Sequence, residues 1–200
     1  MCIRDRVWKK YLEYQIKLHH NEQPTRILFR NKKYGWRRYS VSIVFSDATE
    51  YSSEMCNDVY MQAFLSDICL RPSCYQCSFK AENRVSDLTI ADFWGIEKVL
   101  PALDDDKGAS LVIVRSQKGA NLINAIADQL YLEETDLSLA AKWNPSLYSS
   151  ASQHPRRKAF MNGIAAGDDF QRLVDQYCKA NIMQRLIRKT KKIIKHIIGR

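Results

Sequence analysis

The hydrophobic and polar positions of the chain divide it into short segments of two periods. Residues 7–18 place Val7, Trp8, Tyr11, Leu12, Ile16 and Leu18 at mostly helical spacing, and Pro24 ends that segment. TRILFR (25–30) reads as a strand. Residues 39–45 alternate Tyr39, Val41, Ile43 and Phe45 against Ser40, Ser42 and Val44, the pattern of a half-buried strand, and residues 46–49 turn the chain back. Residues 54–65 read as a helix with Met55, Val59, Tyr60, Ala63 and Phe64 inward. Residues 88–91 (LTIA) predict a short buried strand, and Asp92-Phe93-Trp94-Gly95 the turn leaving it. SLVIVR (110–115) is a strand, 117–130 a helix and 131–134 a short strand, a βαβ-like order. Asp136 caps a helix over 137–142, which Asn144-Pro145 breaks. Residues 155–180 predict one or two helices, split at Gly167-Asp168-Asp169, with Phe160, Met161, Ile164, Phe170, Leu173, Val174 and Tyr177 as the apolar face. The expected fold is α+β: a mixed β-sheet flanked by helices, with a basic helical tail.

That tail changes how the charge is read. The net charge is +9, yet residues 183–200 hold Arg185, Arg188, Lys189, Lys191, Lys192, Lys195 and Arg200 and no acid, which leaves +2 on residues 1–182. The high pI therefore belongs to the tail. Met183, Leu186, Ile187, Ile193, Ile194, Ile197 and Ile198 give it an apolar face at helical spacing. Such a segment either docks on its own domain or lies on an anionic membrane surface or an acidic partner. Nucleic acid is disfavoured, because no aromatic residue interleaves the cations for base stacking.

Candidate chemistry centres on residues 70–95. Cys74 and Cys77 form a Cys-x-x-Cys pair on a loop that Pro72 keeps out of helix. Two thiolates three residues apart can face one metal or cluster edge. The chain has six cysteines without the spacing of a disulfide scaffold, and no apolar leader opens the sequence. A reducing cytosol is the expectation, and there such a pair is more often metal-binding or redox-active than structural. Four readings stand: a [4Fe–4S] cluster, a zinc knuckle, a thioredoxin-like dithiol, and two unmetallated cysteines. Cys69 is a third-ligand candidate; Cys56 and Cys178 fall on predicted helices and read as core.

Asp87 and Asp92 bracket the strand at 88–91, suited to Arg84 or simply to nearby backbone amides. Trp94 and Gly95 stand at the strand end, where open sheets place ligands. Lys107-Gly108, before the next strand, can present a cation and open amides. Asp104-Asp105-Asp106 lacks EF-hand spacing and reads as a surface loop. In the loop at 31–38, Arg37 and Arg38 beside Trp36 either clamp a phosphate or sit in water. Hydrolase, P-loop and Rossmann motifs are absent from the sequence.

LRPSC-x-x-C-x-F-K (70–80), R-x-SDLTI-x-DFWG (84–95) and DDDKG-x-SLV (104–112), with Phe29, Arg30, Lys32, Gly35 and Trp36, resemble the C-terminal domain of the coenzyme F420 hydrogenase/dehydrogenase beta subunit family. The likeness is closest to bacterial members found among polysaccharide-synthesis genes, and it runs from about Val7 to about Tyr148. Ala91 stands where the family has glycine, and Cys69 where an aromatic is expected.

The resemblance implies an electron-transfer oxidoreductase domain of an iron–sulfur flavoprotein. It implies a [4Fe–4S] cluster on Cys74 and Cys77, with further cysteines upstream of this chain. FAD and coenzyme F420 would be held near Asp87, Asp92, Trp94, Gly95, Lys107 and Gly108. The partner would be a redox protein or subunit, and the location cytoplasmic or peripheral at the inner membrane face. Residues 1–6 read as a non-native scar, 7–150 as the family-like domain and 151–200 as a helical extension. The rival reading is a non-catalytic accessory module in polysaccharide synthesis, docking through its basic tail.

Overall fold

The structure is a computed structural model, and it describes residues 6–80 and 84–178. The basic tail and residues 1–5 lie outside the described residues. Helix α1 (Arg6–Leu18) leads into β1 (Pro24–Asn31), β2 (Ser40–Phe45) and β3 (Glu50–Glu54), an antiparallel sheet in the order β1-β2-β3. Helix α2 (Val59–Leu65) and a single 3-10 turn (Pro72–Gln76) follow. Next come β4 (Leu88–Asp92), α3 (Ile96–Val99) and β5 (Ser110–Val114), then α4 (Gln117–Ala125) and α5 (Leu137–Ala141). Helices α6 (Arg157–Ala166) and α7 (Phe170–Tyr177) complete the described chain. No helix among the described residues is long and apolar enough to cross a membrane.

The class is α+β, but the mixed sheet is not what forms. The strands split into two sheets, and all three strand pairings are antiparallel; β4 and β5 pair only with each other, Ile90 opposite Val112. Residues 131–134, expected as a strand, join neither sheet, so no βαβ crossover closes. The expected buried strand at 88–91 is also half open. Thr89 is buried while Ile90 is 67% exposed, because a two-stranded sheet leaves one face uncovered.

Strand β2 departs in the opposite direction. It is the centre strand, and its serines are buried along with Val41, Ile43 and Phe45. Hydrogen bonds make that tolerable. Ser42 Oγ accepts from Asn31 Nδ2 at 2.9 Å and meets Ser52 Oγ at 3.1 Å, and Ser40 Oγ donates to the Asn31 carbonyl. Strand β3 escaped the pattern reading because its edge sequence EYSSE carries no apolar alternation.

The main core brings the two ends of the described chain together. Trp8 and Tyr11 of α1 pack with Phe29, Tyr60 and, from α7, Phe170, at ring distances of 4.5 to 6.0 Å. Ile164 and Phe160 of α6, Leu173 and Val174 of α7, and Cys69 belong to the same cluster. Asp58 anchors this core. Its carboxylate caps α2 by accepting from Met61 N, and it also accepts from the hydroxyls of Tyr11 (2.6 Å) and Tyr51 (2.9 Å). Burial raises the Asp58 pKa; burial beside that carboxylate raises Tyr11 and pushes Tyr51 to about 12. A smaller cluster of Phe93, Ile96, Leu111 and Ala140 forms the core beside β4 and β5. Cys56, expected in a helix core, is exposed in the turn before α2.

Candidate functional site

The motifs of the sequence converge on two places. The first is a seam between the two sheets. Trp36 is buried at 3% exposure and stacks on Trp94, with ring centroids 4.4 Å apart. The Arg30 guanidinium lies 4.8 Å from the Tyr39 ring centroid and 5.9 Å from that of Trp94, and it pairs with Asp92. Arg37 pairs with Asp104 and lies 3.6 Å from Glu97. The Trp36 amide donates to the Asp106 carbonyl (2.8 Å) and the Arg37 amide to Asp106 Oδ1 (3.1 Å). Lys32 Nζ donates to the Lys107 carbonyl at 2.6 Å. The Arg-Trp loop and the Asp-rich loop are therefore two halves of one interface.

The geometry adds a partner to each cation of the basic loop. Carboxylates hold both arginines, Asp104 for Arg37 and, at 2.5 Å, Glu54 for Arg38, whose side chain is still 67% exposed. The loop of aspartates supplies partners for the cationic loop, which no single-segment pattern displays. Opposite net charge in two otherwise isolated loops was the signal available.

Of the six expected cofactor residues, Trp94 and Gly108 lie against Trp36, and Asp92 joins them through Arg30, whose guanidinium stands near the Trp94 ring. Gly108 has φ +91°, and a Cβ there would land in the Trp36 indole. Gly95, φ +85°, precedes α3 and packs against Trp143, a contact the sequence did not suggest; Lys98 Nζ lies 3.6 Å from that ring's centroid. The Lys107 side chain is 86% exposed, 3.4 Å from Asp105. Asp87 stands apart, at the far end of β4 from Asp92. It accepts from Ser116 Oγ at 2.6 Å, lies 3.7 Å from Lys118, and its carbonyl accepts from Arg115 N. Five residues of strand put the two aspartates about 17 Å apart.

The second place is a neck. The chain leaves the main core through residues 70–80 and returns through 150–157, and hydrogen bonds tie the two passages together. Cys77 N donates to Ser150 Oγ at 3.0 Å, and Lys80 Nζ donates to the same oxygen at 3.1 Å. Arg157 Nη2 donates to the Leu70 carbonyl (2.9 Å), and Arg157 Nε donates to the Tyr75 hydroxyl (3.1 Å). That hydroxyl donates to the Asp67 carbonyl at 2.5 Å. Cys74 and Cys77 sit at this neck, both half-buried, Cys74 inside the 3-10 turn and Cys77 at its end. The five described cysteines are thiols. Cys69, the third-ligand candidate, is instead buried in the main core at 3% exposure. Arg157, Tyr75 and Ser150 were missed in the sequence, because 73 to 87 residues separate the partners.

Among the described residues, no group of three or more His, Cys, Asp or Glu side chains could hold a metal ion. A cluster needs four ligands. The chemistry of the pair, two half-open thiols on one turn, fits half of such a ligand set and no more.

A two-sheet α+β domain with a thiol pair at its neck and an aromatic, ion-paired seam defines the class. Residues 9–139 match the family described as coenzyme F420 hydrogenase/dehydrogenase, C terminus of the beta subunit. The chain belongs to that family. No curated protein and no solved structure matches it. The family relates the chain to components of oxidoreductases, which work with other subunits or redox partners.

Proposed function

We propose that this chain is an electron-transfer domain of an iron–sulfur flavoprotein oxidoreductase. Family membership over residues 9–139 carries the reading, and the half-open Cys74/Cys77 pair at the neck supports it. In this reading Cys74 and Cys77 contribute two thiolates to a [4Fe–4S] cluster. The remaining ligands come from outside the described residues or from a partner protein. The cluster, with FAD or coenzyme F420, supplies the redox chemistry when bound; the chain orients and shields. Lys80 and Arg157 place two cations at the neck, which favours an anionic thiolate cluster there. The seam offers Trp94 as an aromatic face, with Asp92 and Arg30 as polar groups beside it.

Anaerobic reconstitution with iron and sulfide, carried out in the presence of the polypeptide that supplies the remaining ligands, tests this. Bound iron and acid-labile sulfide are expected, and either Cys74→Ser or Cys77→Ser should remove them. Bound zinc in place of iron and sulfide, or iron loading untouched by both substitutions, refutes the assignment.

A further inference from the structure

The described chain carries an apolar surface that its own fold leaves open. Within residues 130–139, Leu130, Tyr131, Leu132, Leu137 and Leu139 are 42% to 79% exposed, and Leu122 of α4 is 54% exposed. Only Gly119 of α4 is buried, and residues 131–136 form neither helix nor strand. The same stretch is acidic. Residues 119–141 contain no lysine, arginine or histidine, while Asp128, Glu133, Glu134 and Asp136 are all exposed. Among the described residues, none of these four forms an ion pair; Asp136 is committed to capping α5. Elsewhere carboxylates of this chain find cations: Asp92, Asp104 and Glu54 each pair with an arginine. Exposed apolar side chains beside unpaired carboxylates mark a surface for an occupant that is apolar and basic.

The chain supplies such an occupant. Residues 183–200 carry seven cations and no acid, and repeat Met, Leu and Ile at helical spacing. We propose that this C-terminal segment docks intramolecularly on the surface formed by Leu122 and residues 130–139. Its Leu and Ile side chains meet Leu130, Tyr131, Leu132, Leu137 and Leu139, and its Lys and Arg side chains face Glu133, Glu134 and Asp128. Reach permits this. Four residues of linker beyond Cys178 span up to about 14 Å, and eighteen residues of helix about 27 Å. A 200-residue domain has a radius of gyration of only about 16 Å. The sequence alone left the tail divided between its own domain and a membrane; the unpaired carboxylates beside open leucines favour the former.

Hydrogen–deuterium exchange on the full chain tests the docking, comparing wild type with Glu133→Lys/Glu134→Lys. Both glutamates are exposed and outside the ion pairs of the fold, so the substitutions leave the core intact. In wild type at low salt, amides of 130–139 and 183–200 should be protected together. In the variant both should exchange at least about tenfold faster, as two lost charge pairs and two new repulsions imply. The released tail should also make the variant bind phosphatidylserine-containing vesicles more strongly than wild type, and removing residues 183–200 from both should erase most of that difference, which separates the tail from the charge the substitutions add. Tail amides that are unprotected in wild type, or equally protected in both proteins, overturn the proposal. So does vesicle binding that is equal in the two, which would give the tail to the membrane. Protection that grows with protein concentration assigns the surface to a second copy and overturns it as well.

Discussion

Replacing Arg157 with methionine is expected to open the neck before it unfolds the protein. Methionine keeps most of the apolar stem and removes the donors. Two hydrogen bonds are lost, to the Tyr75 hydroxyl at 3.1 Å and the Leu70 carbonyl at 2.9 Å, and so is the guanidinium stacked 5.5 Å from the Tyr75 ring centroid. For a half-buried cation each bond is worth about 1 to 1.5 kcal/mol, and the ring contact about 0.5 to 1 kcal/mol. The sum, about 2 to 4 kcal/mol, corresponds to local opening more frequent by thirty- to several-hundred-fold. The reporters are the amides of Cys74, which donates to the Arg71 carbonyl, and Cys77, which donates to Ser150 Oγ. Hydrogen exchange at those two amides should accelerate by that factor, with the Cys77 thiol more reactive toward a disulfide reagent. Amides of β2, in the main core, should change far less. Tyr75→Phe should reproduce part of the effect, because it removes the hydroxyl and leaves the Leu70 bond. Uniform acceleration across β2 and the neck would refute the reasoning, since Arg157 would then hold the whole fold rather than the passage.

Gly108→Ala should destabilise by about 2 to 5 kcal/mol, combining left-handed strain with intrusion on the Trp36 indole, while Gly167→Ala, also at positive φ but with open space around it, should lose only about 1 to 2 kcal/mol. Equal urea midpoints for the two would contradict the seam as described. Asp58 is expected to show an inverted pH dependence. Its folded pKa is raised above 3.8, so the folded state binds the proton more tightly, and its contribution to stability falls as pH rises through that window. The stability of wild type minus that of Asp58→Asn should therefore decline with rising pH in denaturant titrations; a rise would show that the Tyr hydroxyls and the Met61 amide outweigh burial. Glu54, held low by Arg38, should act with the opposite sign, its contribution being lost as pH falls below 4.5, and Arg38→Gln should abolish that loss.

Local pattern carried much of the fold. The helical spacing of Trp8, Tyr11 and Leu12, the alternation of Val41, Ile43 and Phe45, and the side-chain cap of Asp136 all act within a few residues, and each element formed where the pattern put it. What pattern lacked was pairing. Residues 131–134 have the spelling of a strand, yet they pair with neither sheet, although β5 keeps one edge open. Ser40 and Ser42 spelled a solvent face but sit on a centre strand, where Asn31 and Ser52 satisfy them. The site shows the same division. The cysteines, Asp92, Trp94 and the two glycines could be picked out by type and spacing. That Arg37 answers Asp104, or that Ser150 and Arg157 hold the cysteine turn, depends on contacts 67 to 87 residues apart. Asp87 and Asp92 bracket the strand as its pattern implied, one at each end.

The main core is discontinuous along the chain, and this orders events during synthesis. Helix α1 shares its aromatic cluster with Phe160 and Phe170, and Tyr14 reaches Gln171, 157 residues downstream. At about 5 to 20 residues per second, the apolar face of Trp8 and Tyr11 waits roughly 8 to 30 s on the ribosome for those partners. The unit around β4 and β5 needs no such wait, because its strands pair across a short connection and its core lies within residues 93–140. The interior of the sequence can therefore fold, and the neck be tied through Ser150 and Arg157, while the first helix still waits for α6 and α7. A nascent chain stalled before α6 would display Trp8, Tyr11 and Tyr60 uncovered, the surface a chaperone would hold.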